Sequence, residues 1–352
     1  MQKTGTVFER PQNPAAKCLH LVRLNPIITR SELVEATGLS QPTITRATAA
    51  LLGVGLLQER TDLTRSRGRG RPTVPLEVAD NGWMLAGIAI GTTSTYIGLY
   101  DTRGRVIRED DVPTPVAELT PEDFIEHVMA GVNRLSAGID RTLVSVGVTT
   151  SGTVDDAGLV YAPNLGWDGM DIAARLKFQF GVPVTVTSAV PAILGSETQA
   201  AELADADSTP GVLVLFADDS LGAALSDAAG VHTVTLPRLD GRAPEDTLVT
   251  SAVRARIDAG EDRRTVLDER ARQLGQLTAQ LVDELHPETV VVAGGAFYDH
   301  ESAPKLFAAE VRSALAEAPH LRMIPNHREI VRAIARAVAL DQLLRTPLSL
   351  AG

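Results

Sequence analysis

The chain has 352 residues, 44% apolar and 22% charged, with one cysteine and a formal net charge of −11. That length accommodates two or three domains with ordinary globular cores, and the lone Cys18 excludes an internal disulfide and a cysteine-rich zinc site. No apolar run is long enough to span a membrane, and the polar opening MQKTGTVFER lacks the hydrophobic region of a secretory signal, so a soluble cytoplasmic protein is expected.

Residues 1–13 show no pattern and are expected to be disordered. PAAKCLHLVRL (14–24) reads as a helix stopped by Asn25-Pro26. Thr29 and Glu32 have the spacing of a capping box, and Gly38 suits the left-handed position that ends a short second helix. Ser40 is a good N-cap for a third helix, with Pro42 tolerated in its first turn. Ile44, Ala47, Leu51 and Leu52 keep helical spacing and turn inward. The open face near the helix start then carries Gln41, Thr43, Thr45 and Arg46. This is a helix-turn-helix, and the third helix is the one that would enter a major groove. A plain helical hairpin inside a larger domain is the alternative. Gly55-Leu56-Leu57 opens a short wing.

Five arginines lie between Arg60 and Arg71 against one acid, Asp62, and glycines alternate with them in RSRGRGRP. An extended Arg-Gly-Arg-Pro can place guanidinium groups in a narrow A·T-rich minor groove, so Arg67, Arg69 and Arg71 form an AT-hook-like candidate. The competing reading is a solvated basic linker. Residues 1–80 hold 11 basic against seven acidic side chains and the remainder 22 against 37, so the acidic whole does not argue against DNA binding through its N-terminal part.

From Trp83 the texture becomes α/β. MLAGIAIGTTSTYIGLY (84–100) reads as strand, Gly-Thr-Thr turn and strand, followed by a third strand over 105–111. Helices are expected over 120–137, 265–285 and 328–344, and buried strands over 143–149, 182–187, 212–216 and 289–293.

The stretches Gly87–Thr93, YAPNLGWDG (161–169), GVPVTVTSAVPAILGSE (181–197) and VVAGGAF (291–297) resemble the ROK family of repressors and sugar kinases, and the chain looks like the repressor branch. The resemblance implies a winged helix-turn-helix joined to a two-lobed actin-like ATPase (ribonuclease H-like) body. It also exposes departures. The family's kinases carry Asp-x-Gly-Gly-Thr where this chain has Ala89-Ile90-Gly91-Thr92-Thr93, and an Asn-Asp pair where it has Ser188-Ala189. Alanine cannot accept the proton of a sugar hydroxyl. The second phosphate turn reads Ala217-Asp218-Asp219-Ser220-Leu221, whose carboxylates would repel phosphate; they could face a cationic ligand, or be a solvated turn. The Glu-x-x-Gly-His sugar motif and the cysteine-rich zinc segment are missing, and His232 reads as a partly buried histidine. No catalytic residue, metal or cofactor is therefore assigned. Asn164, Ser188 and Glu197 remain as effector-site candidates.

The expected organisation is a disordered 1–13, a DNA-binding domain over 14–62, an Arg/Gly linker over 63–80, and a body over 81–352. That body's lobes span about 81–205 plus the C-terminal helix, and about 206–325. The expected function is transcriptional regulation, with repression favoured. The expected partner is double-stranded DNA carrying an inverted repeat with A·T-rich flanks, bound by a homodimer or tetramer. Ser40, Thr43 and Thr45 would hold phosphates and Gln41 and Arg46 base edges. The body would dimerise and sense a small molecule or a protein partner. The alternative is a sugar or amino-sugar kinase with an appended DNA-binding domain.

Overall fold

The computed structural model describes residues 4–64, 74–201, 211–228, 230–297, 300–324 and 327–351. The chain opens with strand β1 (Thr4–Val7), then helices α1 (Pro14–Leu24), α2 (Arg30–Thr37) and α3 (Gln41–Gly53). Local chemistry sets these helices. Asn13 Oδ1 accepts the Ala16 amide at 2.8 Å, Thr29 and Glu32 close a capping box, and Gly38 ends α2 with φ 66°. Leu19, Leu33, Ile44 and Leu51 are fully buried and meet in one core.

Strands β2 (Leu57–Glu59) and β3 (Leu76–Val78) pair antiparallel, Leu57 against Val78 and Glu59 against Leu76. This corrects the reading of 63–80 as an Arg/Gly linker where residues 76–78 form a strand; residues 65–73 lie outside the described residues. Leu76 and Val78 point inward into the same core as the three helices, so the Arg/Gly stretch joins two paired strands of a wing. A three-residue strand has too little periodicity to show itself in sequence.

The first lobe holds β4 (Trp83–Ile90), β5 (Ser94–Tyr100), β6 (Val106–Pro113), α4 (Pro121–Ser136) and β7 (Thr142–Thr150). A small sheet of β8 (Thr153–Val154), β9 (Val160–Ala162) and β10 (Trp167–Met170) follows, then α5 (Ile172–Phe180), β11 (Val184–Ser188) and α6 (Ala189–Thr198). The second lobe holds β12 (Val212–Ala217), β13 (Leu221–Ser226), β14 (Val231–Val234), α7 (Thr250–Asp258), α8 (Arg263–Leu285), β15 (Thr289–Ala293), α9 (Ala303–Ala314) and β16 (His320–Ile324). Helix α10 (His327–Arg345) returns to the first lobe and packs on β4, β5 and β7.

The main sheets run β11-β7-β4-β5-β6 and β1-β14-β13-β12-β15-β16. Between their inner faces lie α6 and α10, where Ala192, Ile193, Ile334 and Val338 meet Ala89 and Tyr96 from one sheet and Val214, Ala224 and Val291 from the other.

The reading of 1–13 as disordered is also corrected for residues 4–13; residues 1–3 lie outside the described residues. β1 extends the second lobe's sheet, with Thr6 opposite His232 and Val7 opposite Val231, and Phe8 is buried against α6. The strand's partner lies more than 220 residues downstream, beyond the reach of any local pattern.

Candidate functional site

Two places on the molecule carry chemistry. The first is the start of α3. Ser40 Oγ accepts the Thr43 amide at 3.4 Å and meets Thr43 Oγ1 at 2.9 Å, so Ser40 and half-buried Thr43 build the cap. Gln41, Thr45 and Arg46 are exposed on one face. Thr45 Oγ1 donates to the Gln41 carbonyl at 2.9 Å, and Arg46 Nε reaches back to the Pro42 carbonyl at 3.4 Å. Neighbouring arginines are occupied: Arg30 binds Glu59 at 2.7 Å, and Arg60 binds Asp62 at 2.7 Å and Glu77 at 2.9 Å. The structure thus brings Ser40, Gln41, Thr43, Thr45 and Arg46 together at a helix N-terminus, where the backbone itself favours anions. Arg67, Arg69 and Arg71 lie outside the described residues.

The second place is a cleft of about 470 Å³ between the lobes. The β4–β5 tip (Gly91 to Ser94) forms one edge, the β12–β13 turn (Asp218 to Ser220) another, and α10 a wall. Asn164 lines it, with Nδ2 donating to Ser151 Oγ at 2.9 Å. The three sequence candidates are not gathered there. Ser188 holds the N-cap position of α6, without a side-chain capping bond, beside Ala189, which does line the cleft, while Glu197 sits near the far end of α6 in an ion pair with Arg322 of β16. His232 is buried with its Nε2 3.0 Å from Asp227 Oδ1.

The acidic turn holds a feature that sequence reasoning missed. Gly294, at φ 104°, lets the chain pass so close to β12 that a Cβ there would lie 2.3 Å from the Ala217 carbonyl oxygen. That approach delivers the Gly295 amide to Asp218 Oδ2 at 2.9 Å, while Asp218 Oδ1 accepts from Thr250 Oγ1 at 3.3 Å. An amide on a glycine turn is a natural anion site. Here the chain's own carboxylate fills it. Asp219 Oδ2 in turn accepts from Thr92 Oγ1 at 3.4 Å, joining the tips of the two lobes. Only the pairing of the acidic turn with the distant Gly294-Gly295 turn reveals this, and neither turn announces it alone.

The N-terminal helices and the cleft are physically connected. His20 Nε2 lies 2.8 Å from the Ala201 carbonyl just beyond α6, and Arg23 donates to the Gln199 carbonyl at its C-cap. Gln199 Nε2 donates to the Ala337 carbonyl of α10 at 2.8 Å. Burial pushes His20 down to about 4, and burial pushes Asp341 up to about 6 despite its 2.8 Å ion pair with Arg345. Leu85, Tyr100, Leu340 and Leu343 of the body share one core with Leu19, Leu51 and Leu76.

Residues 85–214 match the ROK family. The chain is 31% identical to transcriptional regulator Rv0485 of Mycobacterium tuberculosis (strain ATCC 25618 / H37Rv), across 95% of its own length and 86% of that protein. Among solved structures, it superposes on a ROK family transcriptional regulator, a homologue of the E. coli MLC protein, with a TM-score of 0.73 at 18% identity, covering 96% of this chain and 98% of that one. It also superposes on the ROK hexokinase from Thermus thermophilus, with a TM-score of 0.58 at 20% identity, over 73% of this chain and 97% of that one. Both likenesses concern the fold: the two-lobed body is of the actin-like ATPase type, and the regulator also matches across the N-terminal helices. By the extent and identity of these matches, the chain belongs to the ROK family.

Proposed function

We propose that the protein is a sequence-specific transcriptional regulator of the cytoplasm, a repressor, whose body senses a ligand and does not phosphorylate sugars. The observation that carries this reading is the start of α3, where Gln41, Thr45 and Arg46 stand free of the core while Ile44, Ala47 and Leu51 lock the helix behind them. Gln41 and Arg46 read base edges, and Ser40, Thr43 and Thr45 hold phosphates. Arg67, Arg69 and Arg71 enter the flanking minor groove. Two or four copies bind an inverted repeat. The effector occupies the interlobe cleft beside Asn164. Catalysis is disfavoured by Ala189, which cannot serve as a base, and by Asp218, which occupies the amide a phosphate would use.

Selection of genomic fragments by the purified protein tests this, and a palindromic site with A·T flanks is the expected winner. Arg46→Ala then weakens that site by about 1–3 kcal/mol and random DNA by much less. Equal losses on both would remove Arg46 as a base reader. Sugar-dependent ATP consumption that disappears in Asn164→Ala would overturn the non-enzymatic reading.

A further inference from the structure

We propose that the interlobe cleft is built for an apolar organic cation, a hydrophobic amine by chemical class. The inference rests on the reading of that cleft as the effector site and names what fills it.

Three observations converge. The inner wall is apolar: Ala89, Tyr96, Ile193, Phe216, Ile330 and Ile334 line it, and all except Phe216 are 5% exposed or less. The cleft's volume, about 470 Å³, is that of a small-molecule site. Such a wall rewards an apolar body and leaves the hydroxyls of a sugar without partners.

The polar end of the cleft refuses anions. Gly295 donates its amide to Asp218, and both oxygens of that carboxylate are engaged. An arriving phosphate would have to displace Asp218, take the acceptor from the Thr250 hydroxyl, which would keep only the Arg270 guanidinium, and remain beside a negative charge.

The rim, in contrast, carries two carboxylates. Asp111 of β6 and Asp219 of the β12–β13 turn both line the cleft and are exposed. Among the described residues neither has an ion-pair partner, and Asp219 has only the Thr92 hydroxyl. The basic groups on the lining are His327 and Arg328, side by side at the start of α10, and Arg328 is already engaged. Carboxylates at the mouth of a low-dielectric cavity concentrate positive charge. A molecule with an ammonium group at the rim and a hydrocarbon body on the inner wall satisfies both parts of the lining.

The test uses the full chain and three ligands that share one ring system: 1-naphthylmethylamine, 1-naphthylmethanol and 1-naphthylacetate, with glucose, N-acetylglucosamine and ATP alongside. Calorimetry at neutral pH is expected to show saturable binding of the amine. The alcohol binds about ten-fold more weakly, since two partly exposed charge contacts together amount to about 1.4 kcal/mol. The acetate binds more weakly still, and the sugars and ATP do not bind. The double variant Asp111→Asn, Asp219→Asn removes the preference for amine over alcohol without touching the core. Ala189→Phe, which intrudes on the wall, weakens amine and alcohol alike. Binding of the acetate as tightly as the amine, binding of a sugar or ATP, or no binding of any naphthyl compound overturns the proposal.

Affinity for the selected operator is measured beside each titration, which separates the two readings. A sugar or acetate that binds and shifts DNA affinity sinks the ligand class and leaves the effector cleft standing. An amine that binds with the expected preference but leaves DNA affinity unmoved sustains the ligand class and sinks the effector role.

Discussion

His20 and Asp341 face the same small cavity where α1 meets α6 and α10, with Glu9 also on its wall and Arg10, Arg23 and Arg345 among the surrounding charges. His20 titrates near 6.5 when unfolded and near 4 when folded, so the unfolded chain takes up a proton that the folded one refuses. Acidification from pH 6.5 to 4 therefore costs stability, by roughly 3 kcal/mol over the whole window. Asp341 behaves oppositely. Its folded value near 6 lies above the ordinary 3.8, so the folded chain holds a proton that the unfolded one has lost, and stability falls as pH rises from about 4 to about 6. The two slopes oppose each other across one window. Urea unfolding at a series of pH values is expected to show this cancellation directly. Asp341→Asn leaves the His20 slope, with stability rising from pH 4 to 6.5. His20→Gln leaves the Asp341 slope, with stability falling from pH 4 to 6. Parallel profiles for the parent and both variants would refute the assignment.

At the scale of elements, α6 is the piece that touches both candidate sites. Its first residues, Ala189 and Ile193, line the cleft, and the carbonyls at its end hold α1. Gly195 lies between, and the Phe8 ring rests on it so closely that a Cβ would fall 2.5 Å from the ring. Gly195→Ala should therefore displace Phe8 and loosen β1 from β14, at a cost of about 1–3 kcal/mol. Faster amide exchange at Val7 and Val231, the residues paired at the end of β1, would accompany the loss. Unchanged exchange and stability would mean that the arm is not clamped by α6. This arrangement also marks where sequence reasoning stops. The caps at Thr29 and Ser40 were legible because their partners lie three residues away, and the long apolar segments gave β4, β7, β15 and α8 for the same local reason. β1, β3 and the Asp218–Gly295 bond depend on partners 17 to more than 220 residues distant, and no short window of sequence contains both halves. Likewise Asn164, Ser188 and Glu197 read as one group in sequence, yet α6 carries Glu197 away from the cleft to Arg322.

Across the whole molecule, the winged helix has no core of its own. Leu19, Ile44, Leu51 and Leu76 pack into one cluster with Leu85 and Tyr100 of the first lobe and Leu340, Leu343 and Leu344 of α10. Asn13 Nδ2, in the residue that caps α1, donates to the Arg345 carbonyl at 3.0 Å. Unfolding of the three N-terminal helices and of the first lobe is accordingly expected to coincide, with one transition seen by both tyrosine fluorescence and far-ultraviolet dichroism. A separate early transition for residues 14–62 would show that the shared core contributes little. The same closure has a genetic meaning. A chain ended anywhere between α3 and α10 would keep every side chain of α3 and still lack Leu340, Leu343 and Leu344, the wall against which α1 and α3 set. Such a product has no means of holding α1 and α3 in shape. Premature termination within this gene should therefore behave as simple loss of function, recessive to an intact copy, with no shortened protein left to occupy operators in competition with the full one.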